Sequence, residues 1–344
     1  MSKVTIETDG KVWANWKDCS IVKSVDMLAG AFAVKLGDTT QDGSSTNFKM
    51  GNEVKISIND EPIITGYIDY IEFESGSEET MVLIRGRDVG DLVDCCYYES
   101  VNEWKNQTIK AIITELCNPF NITVKSITAL SDRKITTFKA QEGEAIYTMI
   151  YRLCNEFAIQ AITDGKRNLV LSDISSEKMS DILQAPGNVV KTSMIADDTD
   201  RFSEYVTKGQ GLGTPEKSLE SYLQCSGSDS DSGIARYRPN VILSDNPLTN
   251  EQSVKKSQRE SHYTAGLSRQ VIFTVQSFEQ SNGKIWKADS LVDIDNKILS
   301  IDDEMYIHEI EYQRTGDDEK TIINCVWPGT YDLNKKIKKT DFDI

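Results

Sequence analysis

The side chains whose types could do chemistry are few in this 344-residue chain, and their spacing argues against catalysis. Only two histidines are present, His262 and His308. His308 falls inside a strand pattern and His262 inside a polar helix pattern, so a hydrolase triad or a histidine metal site has little to draw on. The acidic pairs Asp302-Asp303 and Asp317-Asp318 have the composition of glycosidase carboxylates, but both fall in expected turns, where Asp is favoured for backbone reasons. Gly209-Gln210-Gly211-Leu212-Gly213 has the look of a phosphate loop, yet it lacks the lysine and hydroxyl residue and no apolar helix follows it. Asp229-Ser230-Asp231-Ser232-Gly233 begins like a calcium loop, but Asn240 stands where the bidentate Glu belongs. The seven cysteines (Cys19, Cys95, Cys96, Cys117, Cys154, Cys225, Cys325) are odd in number and scattered, with neither a disulfide framework nor zinc-ligand spacing. They read as reduced, buried thiols of a protein made in a cytoplasm. No catalytic, cofactor-binding or metal-binding residue is therefore assigned, and the chain reads as a non-enzyme.

The overall charge narrows the partners. Thirty-eight basic residues against 54 acidic ones leave a formal charge of −16. Gripping nucleic-acid phosphates needs clustered Lys and Arg, so the balance argues against a DNA-binding protein, while a surface or channel that repels DNA is compatible. The length suffices for two or three domains with cores of their own. No run is long and apolar enough to span a bilayer, and Met1-Ser2-Lys3-Val4 leads straight into alternating sequence, so no signal peptide is expected.

The positioning elements are mostly β. Val54, Ile56 and Ile58 alternate with Lys55, Ser57 and Asn59, which is the period of a half-buried strand. The turn Asn59-Asp60-Glu61-Pro62 follows, then a long strand from Ile63 to Glu74 broken at Gly66, the polar loop Ser75 to Glu79, and Met81 to Ile84. The order recurs near the C-terminus: Leu291 to Asp295, the acidic turn Asp302-Asp303, a strand from Met305 to Gln313, the loop Thr315 to Glu319, and Thr321 to Val326. Ile310-Glu311-Tyr312-Gln313 stands where the first copy has Ile71-Glu72-Phe73-Glu74. Such a repeat predicts two similar β domains.

Val4 to Glu7 and Gly10 to Trp13 predict an opening hairpin with an Asp9-Gly10 turn, and Cys19 to Asp26 and Ala31 to Leu36 add strands. Gly37 to Asn47 reads as a loop. Ile109, Ile112, Ile113 and Leu116 lie on one helical face, with Asn106 or Thr108 able to cap it and Pro119 to end it. Ile146, Met149, Ile150, Leu153 and Phe157 mark a second helix. Asn121 to Ile127, Ala158 to Thr163 and Leu169 to Ser172 supply strands, completing an α+β middle block. Beyond Val189 β patterning returns, with Val189 to Ile195, Phe202 to Thr207 and Val271 to Val275. Gly209 to Gly233 reads as a linker, and Thr249 with Gln252 as a capping box opening a polar helix that lies on a surface or interface. The tail Lys335 to Lys339 is a small solvated basic patch.

Gly66-Tyr67-Ile68-Asp69, Gly86-Arg87-Asp88 and Asp91-Leu92-Val93-Asp94-Cys95 resemble the baseplate hub proteins of Mu-like contractile phage tails (tail protein P type). Arg201 to Gln210, Arg238-Pro239, Thr274 to Phe278 and Gly283 to Trp286 resemble the same family in the same order, so the similarity runs from about Val4 to Leu333. The family is related to the T-even phage hub and the hub domain of type VI secretion spike proteins. The Ser/Asp-rich linker and the lysine-rich tail depart from the pattern. The resemblance implies a mainly β protein with an α+β middle domain and two similar tandem β-barrels of tail-tube type. The expected domains are 1–98 (first barrel), 99–184 (middle), 185–330 (second barrel, with an insertion at about 209–266) and 331–344 (charged tail). It implies a homotrimer of pseudo-sixfold character that joins the hexameric tail tube to the trimeric central spike. Tail tube, spike, other baseplate proteins and a tape-measure protein are the implied partners, with DNA only in passage and no membrane span. The implied place is the virion, after assembly in the bacterial host cytoplasm. A non-catalytic β-rich surface or carbohydrate-binding module is the alternative, and a carboxylate-based hydrolase fused to β domains is a more distant one.

Overall fold

A computed structural model describes residues 2–14, 17–38, 48–75, 80–100, 102–210, 225–244, 247–335 and 337. Most of the loop expected at Gly37 to Asn47, the Ser75 to Glu79 loop beyond Ser75, Gly211 to Gly213 of the glycine run and most of the basic tail lie outside these residues. Two compact units emerge: Met1–Lys191 with Phe273–Asp303 and Ile307–Asn324, and Thr192–Ile272 with Glu304–Tyr306 and Cys325–Ile344.

In the first unit, alternating sequence becomes seven antiparallel strands: β1 (Val4–Thr8), β2 (Lys11–Trp13), β3 (Asp18–Ser24), β4 (Ala31–Asp38), β5 (Glu53–Ile58), β6 (Glu61–Ser75) and β7 (Thr80–Arg87). Both tight turns carry positive φ at their central residues, Asp9 and Gly10 at 49° and 70°, Asn59 and Asp60 at 49° and 65°. Asn, Asp and Gly tolerate that region, and two-residue hairpins need it. A short helix α1 (Gly90–Asp94) and β8 (Glu103–Thr108) lead into α2 (Ile109–Cys117), β9 (Thr123–Ser126) and β10 (Lys134–Lys139). Then come α3 (Ile146–Phe157), β11 (Gln160–Thr163), β12 (Asn168–Ser172) and β13 (Leu183–Ala185). Thr108 caps α2 by accepting from Ala111 N–H at 3.1 Å. The apolar faces of α2 and α3 pack with Leu28, Leu92, Trp104, Phe138, Leu169 and Leu171 into one core.

The remaining strands are β14 (Val189–Ala196), β15 (Glu204–Gly209), β16 (Cys225–Ser230), β17 (Pro239–Leu243), β18 (Arg269–Val275), β19 (Ser290–Asn296), β20 (Ile301–Thr315) and β21 (Asp318–Val326), with helix α4 (Asn250–Leu267) between β17 and β18. The repeat read from sequence is a repeat of architecture. A shorter strand, a 15-residue strand and a returning strand occur as β5-β6-β7 and again as β19-β20-β21. The second copy joins the sheet of the first, because β20 pairs antiparallel with β3 from Glu309↔Ser24 to Thr315↔Asp18. The order then runs β20-β3-β4-β7-β6-β5-β1-β2, leaving β2 at the end.

Four expectations are corrected. The strand β6 is not broken at Gly66. It continues from Glu61 to Ser75, with an irregularity between Ile68 and Tyr70. Glycine is required at 66 by proximity, since a Cβ there would lie 1.9 Å from the Arg87 carbonyl oxygen. Asp302 and Asp303 form no turn. They open β20, and the turn precedes them at Lys297 to Ser300, where Ser300 takes φ 54°. The Ser/Asp-rich stretch read as a linker is β16, held by a full antiparallel ladder to β15 from Glu204↔Ser230 to Gly209↔Cys225. Pairing supplies the backbone hydrogen bonds that side-chain propensity does not advertise. Finally, the polar helix α4 buries a face after all: Ser253, Ser257, Ser261 and Ala265 recur every fourth residue and are all buried. The expected capping box, Thr249 with Gln252, is present.

Candidate assembly interface

The residues singled out by motif are structural junctions. Arg87 donates through Nε to Asp69 at 2.9 Å and through both terminal nitrogens to Asp94 at 3.0 and 2.6 Å. That fork ties the end of β7 to β6 and to α1. It holds the Asp94 carboxyl below the usual range and raises the guanidinium further. The next residue, Asp88, has a fully buried side chain. It accepts from Gly30 N–H at 2.8 Å, Val89 N–H at 2.8 Å, Lys23 Nζ at 2.9 Å and the Thr163 hydroxyl. One carboxylate thus joins β3, β7 and β11. Tyr67 packs under the Arg167 guanidinium, 4.3 Å from its ring centroid, and receives a hydrogen bond from it.

A second junction gathers Thr274-Val275-Gln276-Ser277-Phe278 with Gly283-Lys284-Ile285-Trp286. Phe278 meets Tyr312 edge-on at 5.4 Å, and the Tyr312 hydroxyl donates to the Trp286 carbonyl. Thr321 Oγ1 donates to Ser277 O at 2.7 Å. Glu319 is buried here. Burial opposes its ionised form, but hydrogen bonds from Ser2, Arg314 and Phe278 N–H win, and its pKa is lowered.

In the second unit, Arg201, Phe202, Tyr205 and Arg238 come together. Arg201 Nη2 donates to Asp231 Oδ1 at 3.0 Å, so the faint calcium loop is spent on an arginine. Arg269 grips Asp198 through both terminal nitrogens at 2.8 and 3.2 Å. Arg238 lies over the Phe202 ring at 5.3 Å and donates to the Asp198 and Thr199 carbonyls. The sheet β16-β15-β17 lies against α4, where Ser257 Oγ accepts from Thr207 N–H at 3.0 Å and donates to Gly227 O at 3.0 Å. Gly227 permits that approach: a Cβ would sit 2.2 Å from Val254 N.

Both histidines are engaged through Nδ1. His308 Nδ1 is 3.2 Å from Asp26 Oδ2, and His262 Nδ1 is 3.0 Å from Gly329 O. Five cysteines are buried, Cys95 is half-buried and Cys96 exposed. Burial pushes the thiols of Cys117 and Cys154 up to about 12. Among the described residues no three His, Cys, Asp or Glu side chains are placed to hold a metal ion.

What the chain does present is apolar surface on strands. β17 is the last strand of its sheet, and Val241 and Leu243, on the face away from α4, are 52% and 74% exposed. Val206 stands beside Val241 in the parallel register. Phe73 on β6, between the exposed Glu72 and Glu74, is 63% exposed. Where such side chains are contiguous, as Val241 and Leu243 are, they suit a protein contact. The sequence pattern carried no sign of β17, whose five residues include a proline and an asparagine.

Comparison with known proteins places the chain among phage tail proteins. Residues 3–88 match the family model of the N-terminal domain of the Mu phage baseplate assembly protein GpP-like proteins, and residues 89–173 match the second domain of the baseplate hub protein gp44-like proteins. The chain is 26% identical over 302 residues to the baseplate hub protein gp44 of Escherichia phage Mu, covering 85% of this chain and 78% of that one. The crystal structure of the 43 kDa tail protein of prophage MuSo2 from Shewanella oneidensis superimposes with a TM-score of 0.85 at 26% identity, covering 96% of this chain and all of the other. A tail protein from Neisseria meningitidis MC58 shares the fold, with a TM-score of 0.79 at 16% identity over 96% of this chain and 98% of its own. Residues 3–173 thus match two successive domains of the baseplate hub proteins of Mu-like phage tails, and the chain as a whole resembles the hub and tail proteins of that group.

Proposed function

We propose that this hub is a non-catalytic homotrimer acting as a symmetry adapter between a hexameric tail tube and a trimeric central spike. The observation that carries the reading is the duplication of β5-β6-β7 as β19-β20-β21, each built on a 15-residue strand. A hexamer stacks evenly on a trimer only when each subunit offers two equivalent surfaces, and three chains with two copies each offer six. In this reading residues 1–98 and 185–330 form the two tube-like barrels, residues 99–184 the middle domain and 331–344 a charged tail. The formal charge of −16 suits a lumen through which DNA slides without adhering. Spike, tube, other baseplate proteins and a tape-measure protein are the partners, in a particle assembled in the bacterial cytoplasm. Exposed Val241 and Leu243 are suited to lie between subunits, which would also cover the open edge of β17.

The test is mass and symmetry. Light scattering after gel filtration should give three times 38.6 kDa, about 116 kDa, alone or with the spike partner. Single-particle images should show threefold symmetry with six similar lobes. A monomer at high concentration with spike present would sink the proposal.

A further inference from the structure

We propose that the β1–β2 end of the sheet is a binding site for a carboxylate group, as carried by an Asp or Glu side chain. A cavity of about 220 Å³ lies there, lined by Thr8, Asp9, Lys11, Trp13 and Lys49. Two of the five are already engaged. Thr8 Oγ1 donates to Glu53 O at 2.8 Å, and Asp9 accepts from Asn52 Nδ2 at 2.6 Å. Three donors remain. The indole Nε1–H of Trp13 is buried and has no acceptor. The Trp13 ring stacks at a tilt on Phe48, 5.3 Å between centroids, which fixes its plane. Lys11 and Lys49 are exposed, and neither has an anionic partner among the described residues.

A buried indole N–H without an acceptor costs free energy, which a bound oxygen would recover. Two ammonium groups beside it select an anion, and such unpaired cations stand out in a chain of net charge −16. Charge decides which anion. The two lysines less the Asp9 carboxylate leave one positive charge in the lining, which a carboxylate neutralises. A phosphate, with a charge of about −1.5 to −2, would overshoot. β2 is the last strand in the sheet order, so the cavity adjoins an edge that an extended segment can reach.

The experiment uses the full chain with ¹⁵N-labelled indoles, the Trp13 signal being identified by its loss in Trp13→Phe. Sodium glutarate, titrated at constant ionic strength, should move the Trp13 indole signal saturably while the other four tryptophans stay in place. Lys11→Gln with Lys49→Gln should weaken that response at least about tenfold without changing the thermal transition, both side chains being exposed. A blocked Gly-Glu-Gly peptide binding more tightly than glutarate identifies a protein side chain as the natural ligand, and the reverse a free small carboxylate. No saturable shift, an equal shift with inorganic phosphate, or an unchanged response in the double variant would each overturn the site.

Discussion

Ser2 and Glu319, 317 residues apart, are joined by two hydrogen bonds: Ser2 N–H donates to Oε2 at 3.0 Å and Ser2 Oγ to Oε1 at 2.6 Å. Arg314 completes the junction by donating to Glu319 at 2.8 Å and to the Ser2 carbonyl. Glu319 also accepts from Phe278 N–H at 3.0 Å. The first residues of the chain are thereby fastened to the second copy of the repeat.

Replacing Glu319 with Gln removes the charge that Arg314 and two backbone amides were placed to meet. Loss of one partner of a buried ion pair costs about 3 kcal/mol. The check is the midpoint of guanidinium unfolding followed by tryptophan fluorescence. Glu319 also makes stability depend on pH. Its folded pKa lies below the ordinary 4.5, so its contribution is complete above that value and is lost as pH falls through the folded pKa. Below pH 4.5 the wild-type midpoint should therefore fall more steeply than that of Glu319→Gln.

Gly66→Ala should be among the most damaging single changes. The added methyl meets the backbone of Arg87 and Asp88 between 1.9 and 2.7 Å, and neither strand can yield without breaking the β6–β7 ladder. The expected loss is about 3 kcal/mol or more. Soluble yield and melting temperature measure it, with Gly283→Ala as a comparison whose Cβ meets nothing and whose cost is only the backbone strain of its φ of 80°.

The serine face of α4 makes a graded prediction. Ser257→Ala removes hydrogen bonds to Thr207 and Gly227, leaving a buried amide and carbonyl short of a partner, at a cost of about 1–2 kcal/mol. Ser257→Leu must also push the helix from β15 and β16, so it should melt well below the alanine variant.

Val241→Asp with Leu243→Asp separates assembly from folding. Both side chains are exposed, so the stability of the subunit should change by no more than about 0.5 kcal/mol. The assembled mass seen by light scattering should fall toward that of one chain.

Thiol labelling reads burial directly. A maleimide should modify Cys96 first and Cys95 slowly in the native protein, because the other five thiols are buried and burial disfavours the reactive thiolate. Cys117 and Cys154, pushed up to about 12, should react only after unfolding, which intact-mass measurement resolves.

The sequence alone determined what depends on short-range pattern. Period-two alternation marked β1, β5 and β18. The apolar faces of α2 and α3 were legible at their i, i+3, i+4 positions, and the Asp9-Gly10 and Asn59-Asp60 turns by their tolerance of positive φ. The repeat and the family's motif order were legible because they are linear features of the chain. Tertiary structure decided what depends on partners distant in sequence. β16 looks like a linker because Ser, Gly and Asp lack strand propensity, and it is a strand because β15 supplies its ladder. The serine stripe of α4 escaped notice because a face of small polar residues is core only when a glycine-bearing strand lies against it. Glu319 sat in an expected acidic loop, and only the approach of Ser2, Phe278 and Arg314 made it a buried anchor, since a carboxylate enters an interior once enough donors converge on it.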